Sequence, residues 1–77
     1  MTIAYVLINC ELGAEEAIIE KLKKLEQAKD VFEIIGTHDI MVKLEAENFE
    51  KIREIVSWNI QKLEKIRSTS TLIRKDN

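Results

Sequence analysis

The sequence has 77 residues, of which 34% are charged and 45% are apolar, and its formal net charge is −2. This balance is typical of a folded globular protein and too apolar for a disordered chain. Lys and Arg are mixed with Asp and Glu instead of forming a basic face, which argues against direct nucleic-acid binding. No apolar run approaches the roughly 20 residues of a membrane span, and a signal peptide's basic region is absent, so we expect a cytoplasmic protein.

The short length and the single cysteine narrow the possibilities further. We predict one domain over residues 1–77, and since such a domain buries only about 60% of its unfolded surface, we expect a partner subunit to help stabilise it. Cys10 lies in an apolar run without a second cysteine, which predicts a small buried side chain and neither a disulfide nor a metal site. We predict no cofactor.

A strand and a helix open the chain. Residues 2–10 are almost continuously apolar and β-branched, which predicts a strand covered on both faces. Glu15 and Glu16 follow where a first helical turn would place negative charge against the helix dipole. We predict an amphipathic helix from about Ala14, with apolar residues at helical spacing: Ala14, Ala17, Ile18, Leu22 and Leu25.

The stretch Val31–Leu44 contains two apolar β-branched runs that flank Gly36, Thr37, His38 and Asp39. Gly36 can take a positive φ and Asp39 can hydrogen-bond nearby amides, so the pattern predicts an antiparallel hairpin with a four-residue turn. These four residues also carry chemistry. Gly36 lets a ligand approach the backbone, Thr37 offers a hydroxyl and His38 offers an imidazole. Asp39 can hold an amine, and both a binding site and a simple turn remain open.

A second helix and a last strand complete the chain. Asn48 is suited to cap a helix whose apolar residues continue at spacings of three and four: Phe49, Ile52, Val56, Ile60 and Leu63. Trp58 projects to the opposite side, so we expect it to be exposed in a monomer and available for a subunit contact. Residues 66–74 are rich in β-branched and hydroxyl side chains, which predicts a strand with cross-strand hydroxyl pairing.

The order βαββαβ with short loops predicts an α+β, ferredoxin-like fold. In this plan two helices cover one face of a four-stranded, mostly antiparallel sheet. Because both faces of the first strand are apolar, Tyr5 or Ile8 on the second face would form a large exposed patch. We therefore predict a dimer in which a partner's sheet packs there.

Several functions compete on this fold, and the site residues must decide among them. An RNA-binding domain would show aromatic residues on two central strands, whereas Tyr5 stands alone. A metal-transfer domain would carry a CxxC pair, whereas this chain has a single cysteine. A small dimeric enzyme could use His38 as a base oriented by Asp39, but adjacent turn residues rarely point at each other, and no nucleophile can be named. We predict no enzyme and no catalytic residue, and keep the enzyme as an alternative.

Three segments resemble a sensor family: AYVLIN at residues 4–9, GTHDI at 36–40 and RSTSTLI at 67–73. Together they resemble the ligand-binding domain of the Lrp/AsnC transcriptional regulators, also called the RAM domain. The hairpin is similar to the family's Gly-x-aromatic-Asp motif, with His38 where most members have Tyr, so the ligand's identity is left open. An ACT domain, another amino-acid sensor, is the alternative, although it shows Asp-x-Pro-Gly where this chain has Glu11-Leu12-Gly13.

The resemblance implies an amino-acid effector domain that acts in regulation of transcription or amino-acid metabolism. It implies dimers that assemble into rings of about eight or ten subunits, with the effector between neighbouring dimers. Asp39 would meet the ammonium group and the amides of residues 36–38 the carboxylate. Thr69 and Thr71 are further candidates, with strand pairing as the alternative.

Full-length members of this family carry an N-terminal helix-turn-helix, whereas this sequence opens at the first strand. We therefore expect no DNA binding by this chain itself. The sequence leaves open whether this chain forms mixed assemblies with helix-turn-helix-containing paralogues.

Overall fold

The computed structural model describes residues 1–75, so residues 76 and 77 of the predicted domain lie outside the described part. Its elements are β1 Thr2–Cys10, α1 Glu15–Lys23, β2 Ala28–Glu33, β3 Ile40–Ala46, α2 Phe49–Ile55 with a π-helical turn Val56–Ile60, and β4 Ile66–Ile73. The strands form one sheet in the order β2-β3-β1-β4, and every pairing is antiparallel. The ferredoxin-like prediction is confirmed, with a sheet that is wholly antiparallel.

One face of the sheet packs against both helices and forms the core. Alternate side chains of β1 and β3 point to this face, as the two-residue period of a strand requires. The fully buried members of these two strands are Ala4, Val6, Ile8, Ile40, Val42 and Leu44. The helical segments contribute the buried residues Ile18, Leu22, Ile52, Ile55, Val56 and Ile60. Apolar burial on this face is the main driving force for folding.

The opposite face of the sheet is left open by the described part of the chain. Six apolar side chains share it: Ile3, Tyr5, Leu7, Phe32, Met41 and Leu72. Phe32 is 39% exposed and Leu72 is 54% exposed. Tyr5 lies on this face as predicted, but the prediction for Ile8 is wrong. Ile8 points to the helices and is fully buried, because residues an odd number of positions apart in a strand face opposite sides.

Helix α2 begins as predicted, but it ends at Ile55 and is followed by the π-helical turn Val56–Ile60. The Asn48 side chain accepts a hydrogen bond from the Lys51 N–H at 2.9 Å and so caps the first turn. Phe49 was expected on the buried side but is 49% exposed, while Trp58 is 70% exposed, as expected. Lys62 covers the indole, with Nζ 5.2 Å from the ring centroid. Within residues 1–75 no helix has the length and apolarity needed to cross a membrane.

Candidate functional site

The hairpin loop between β2 and β3 is longer than the predicted four-residue turn. β2 ends at Glu33 and β3 begins at Ile40, so residues 34–39 form the loop. The Ile34 N–H donates to the Asp39 carbonyl at 2.9 Å and closes its base. Ile35 was expected in the strand, yet its side chain is fully exposed. At its other end β2 begins at Ala28, three residues before the apolar run that starts at Val31.

Asp39 makes three hydrogen bonds, two of which join the hairpin loop to the central strand β1. Its N–H donates to the Ile8 carbonyl at 2.9 Å, and its own carbonyl accepts from Ile34. Its carboxylate Oδ2 accepts from the Cys10 N–H at 2.9 Å. The carboxylate thus takes the place that a peptide carbonyl would have in a continued ladder between β1 and β3.

The second carboxylate oxygen of Asp39 has a different environment. Oδ1 makes no hydrogen bond to any group in residues 1–75, and the side chain is half-buried at the surface of the loop. A carboxylate has lone pairs for several donors, so one oxygen can hold Cys10 while the other receives a ligand. The structural role and the predicted binding role of Asp39 are therefore compatible.

The other three loop residues predicted to bind a ligand, residues 36–38, lie at the surface beside Asp39. Gly36 and Thr37 are exposed and His38 is half-buried. Thr37 Oγ1 and His38 Nδ1 are 3.0 Å apart and share a hydrogen bond, so the imidazole is oriented by its neighbour and not by Asp39. Gly36 has φ +141°, which confirms the predicted positive φ. This value lies well beyond the αL region near +57° that Asn or Asp can adopt.

We expect Gly36→Val to lower the free energy of unfolding by about 1 to 3 kcal/mol. The cost is conformational, because a Cβ at Gly36 would meet no atom within 4 Å but would hold an L residue at a φ that it rarely adopts. Urea denaturation gives the measurement. Thr37→Val is the matched control, since it places the same side chain on the next exposed position. Loss of the exposed hydrogen bond to His38 should lower its free energy of unfolding by no more than about 0.5 kcal/mol. Equal stability of both variants would contradict a strained glycine position.

Thr69 and Thr71 lie on β4, apart from the hairpin loop. Thr69 pairs with Ile8 and Thr71 with Val6, so both side chains belong to the helix-covered face of the sheet. Thr69 accepts a hydrogen bond from Gln61 Nε2 at 3.0 Å, a partner that the sequence did not indicate. Because β1 separates β4 from β3, about two strand spacings or 10 Å lie between Thr69 and the loop. A single chain does not bring all six predicted residues into one site.

Cys10 has no separate chemistry at this site. Its side chain is buried, as predicted, and its backbone N–H donates to the Asp39 carboxylate of the loop. Burial raises the pKa of the thiol, and the negative charge of nearby Asp39 raises it further. The thiol therefore stays protonated and weakly nucleophilic. Among residues 1–75 no group of three or more His, Cys, Asp and Glu side chains is placed to hold a metal ion.

Nearly the whole chain, including the hairpin loop, matches a known family of ligand binding domains. The family model of the Lrp/AsnC ligand binding domain matches residues 3–75. The chain belongs to this family. The Lrp/AsnC identification from the three sequence segments is confirmed, and the ACT alternative is set aside. Lrp/AsnC proteins are transcriptional regulators and not enzymes, which also confirms the prediction of no enzyme.

The Lrp/AsnC domain is similar to several known proteins. The HTH-type transcriptional regulator FL11 of Pyrococcus furiosus is 27% identical over 71 residues, which cover 92% of this chain and 46% of FL11. The crystal structure of FFRP-DM1 superposes with a TM-score of 0.93 at 28% identity, over 97% of this chain and 100% of that one. The Lrp/AsnC domain described here thus spans about half the length of its curated relative.

A more distant neighbour shows the same fold. The transcriptional regulator NMB0573 of Neisseria meningitidis, solved as a complex with L-Met, has a TM-score of 0.89 at 10% identity. The superposition covers 97% of this chain and 50% of that protein.

Proposed function

We propose that this Lrp/AsnC domain, residues 1–77, binds an amino-acid effector at the hairpin loop and acts as an assembly unit in the regulation of transcription or amino-acid metabolism. The observation that carries the proposal is the half-buried Asp39 carboxylate, which is fixed by Cys10 at one oxygen and has no partner in residues 1–75 at the other. A fixed carboxylate is well suited to hold an ammonium group, because its orientation requires no further ordering.

The loop also offers groups for the other end of an amino acid. Gly36 brings the backbone close to the surface without a side chain, so the amides of residues 36–38 can approach a carboxylate. His38 keeps Nε2 for a further contact, because Nδ1 is engaged by Thr37. A distant member of the fold was solved with L-Met, which agrees with an effector of this class.

The open face of the sheet supports assembly. Its six apolar side chains would be buried if a second copy packed sheet against sheet, as in an isologous dimer. Ile35 at the loop tip is fully exposed beside the candidate site. We propose that a neighbouring dimer covers this side chain and contributes Thr69 and Thr71 across the contact, which would close the site that one chain leaves incomplete.

The wider partnership follows from the relatives. FL11 is described as an HTH-type regulator and is about twice as long as the matched region. We propose that this domain acts in the cytoplasm with helix-turn-helix-containing members of its family.

A thermal-shift screen of the twenty amino acids tests the proposal. A ligand at about 100 times its dissociation constant adds about 2.7 kcal/mol, which should raise the melting temperature of a chain this small by roughly 10 °C or more. The N-acetyl and the carboxamide derivatives of the best amino acid are the controls, and both should lose most of the shift. A screen in which no amino acid shifts the melting temperature would reject an amino-acid effector.

A further inference from the structure

The outer side of α2 and of the π-helical turn carries a stripe of exposed side chains, the α2 stripe, at a spacing of four residues: Glu50, Glu54, Trp58 and Lys62. Residues four apart lie on the same side of a helix. The side-chain contacts agree with this spacing, because the first three residues line one hollow and Lys62 Nζ lies 5.2 Å from the centroid of the indole. None of the four belongs to the hairpin loop or to the open sheet face.

Trp58 is the apolar member of the α2 stripe. Its side chain is 70% exposed, although tryptophan is on average one of the more buried residues. The indole Nε1–H is a donor only, and it makes no hydrogen bond to a group in residues 1–75. Lys62 lies over one face of the ring, and the other face is open to water. An exposed tryptophan with a free N–H is typical of the anchor of a protein–protein contact.

A polar hollow of about 190 Å³ lies beside Trp58 on the same surface. Its other walls are Glu50, Arg53, Glu54 and Ser57. A carboxylate there can accept the N–H of a second indole, and the guanidinium attracts an aromatic face. The ion pairs of these carboxylates, to Arg53 and to Lys51, have N–O distances of 3.8 Å on exposed side chains. Such pairs contribute little to stability, so they can rearrange around an incoming ring.

The order of charges along the α2 stripe makes it complementary to itself. Its two carboxylates precede Trp58 and Lys62 in the chain. If two copies pack antiparallel about a two-fold axis, Lys62 of each copy meets Glu50 of the other. Trp58 of each copy then meets Glu54 beside the hollow. A parallel arrangement would instead place like charges against each other, which is unfavourable.

We propose that the α2 stripe is an isologous contact between two copies of this chain, formed by antiparallel packing of α2 against α2. The stripe spans about 18 Å of a helix about 10 Å wide, which is far less than the roughly 800 Å² per partner of a stable interface. The contact is therefore weak alone and joins chains that already belong to separate dimers. It takes only the sheet-on-sheet dimer from the proposed function and needs no effector.

Trp58 is the single tryptophan of the sequence, so its fluorescence reports the burial of this side chain directly. Between about 5 and 500 µM, we expect the emission to move to shorter wavelength while sedimentation shows the mass rising above that of the dimer. Trp58→Ala should abolish this rise in mass. Emission that stays at the wavelength of a hydrated indole up to the highest concentration would overturn the proposal.

An exchange of charges tests the antiparallel arrangement. Lys62→Glu sets a carboxylate against Glu50 and should weaken the association of dimers at least about tenfold. The double variant Glu50→Lys with Lys62→Glu restores opposite charges and should return to within about threefold of the wild type. Lys23→Glu is the matched control, because it reverses an exposed charge on α1, outside the α2 stripe, and should associate like the wild type.

The variants also separate this contact from the sheet-on-sheet dimer. A double variant that is folded by circular dichroism but associates no better than Lys62→Glu would overturn the proposal, as would an equal loss in Lys23→Glu. Assembly that is lost in Leu7→Glu and unchanged in Trp58→Ala would reject the α2 contact and keep the dimer. Single chains that pair in a step removed by Trp58→Ala, and not by Leu7→Glu, would support the α2 contact and reject the sheet-on-sheet dimer.

Discussion

Leu7→Glu is expected to dissociate the proposed sheet-on-sheet dimer. Leu7 lies near the middle of the open sheet face, between Met41 and Ser70 in register. In a sheet-on-sheet dimer the new carboxylate would be buried twice, once from each copy, without a partner. Removing such charges from water costs several kcal/mol, so the dimer dissociation constant should rise at least about a hundredfold. Light scattering at micromolar concentration should then give a mass near 8.9 kDa instead of a multiple of it.

Leu12→Glu is the matched control for this experiment. It makes the same substitution at a side chain that is 98% exposed in the turn after β1 and away from the sheet face. This variant should keep the wild-type mass. Circular dichroism distinguishes a folded monomer from an unfolded chain, and either state of Leu7→Glu agrees with a stabilising partner. A wild-type protein that already has the mass of one chain, or a Leu7→Glu variant with unchanged mass, would reject the open face as an interface.

Asp39→Asn is expected to weaken amino-acid binding much more than it weakens the fold. Asn keeps a side-chain oxygen that can accept the Cys10 N–H, so the free energy of unfolding should change by about 0.5 kcal/mol or less. The charge-assisted bond to an ammonium group is lost, which is worth about 1.5 to 3 kcal/mol and corresponds to a tenfold or greater loss of affinity. Calorimetry with the best amino acid from the screen measures this loss.

Two further variants separate the role of Asp39 in holding the loop from its role in binding the amino acid. Asp39→Ala removes the acceptor for the Cys10 N–H and should lower the free energy of unfolding by about 1 to 3 kcal/mol, in addition to abolishing binding. Glu33→Gln removes the same charge from an exposed position at the end of β2 and should change neither property. If Asp39→Asn binds the amino acid as tightly as the wild type, the carboxylate serves the loop alone and the effector contacts other residues.

Much of the fold could be predicted because local patterns and tertiary packing agree. The strand at residues 2–10, the Asn48 cap and the last strand all depend on features that a few neighbouring residues determine. The side of Ile8 was mispredicted because both faces of β1 are apolar, so the strand carries no alternation to identify the helix side. The end of β2 was mispredicted because Ile34 and Ile35 have the composition of a strand, whereas the ladder with β3 ends at the pair of Glu33 and Ile40.

The candidate site was predictable in its residue types and less so in its geometry. The motif identified Asp39, but its bond to Cys10 depends on β1, which lies 29 positions away in the chain. The Gln61 contact to Thr69 likewise depends on the π-helical turn, which sequence periodicity did not reveal. Phe49 was expected on the buried side because it fits the spacing of the apolar stripe, whereas its side chain is 49% exposed.

The pairing of β1 with β4 has a consequence for how the chain reaches its native state during synthesis. β1 is a central strand made first, and its partner on one side is made last, as the register pair Ala4 and Ile73 shows. Until those late residues leave the ribosome, β1 is an apolar edge strand with unpaired backbone groups. The β1–β4 pairs can therefore form only after the last strand has emerged, and until then this edge of β1 is open to pairing with other chains.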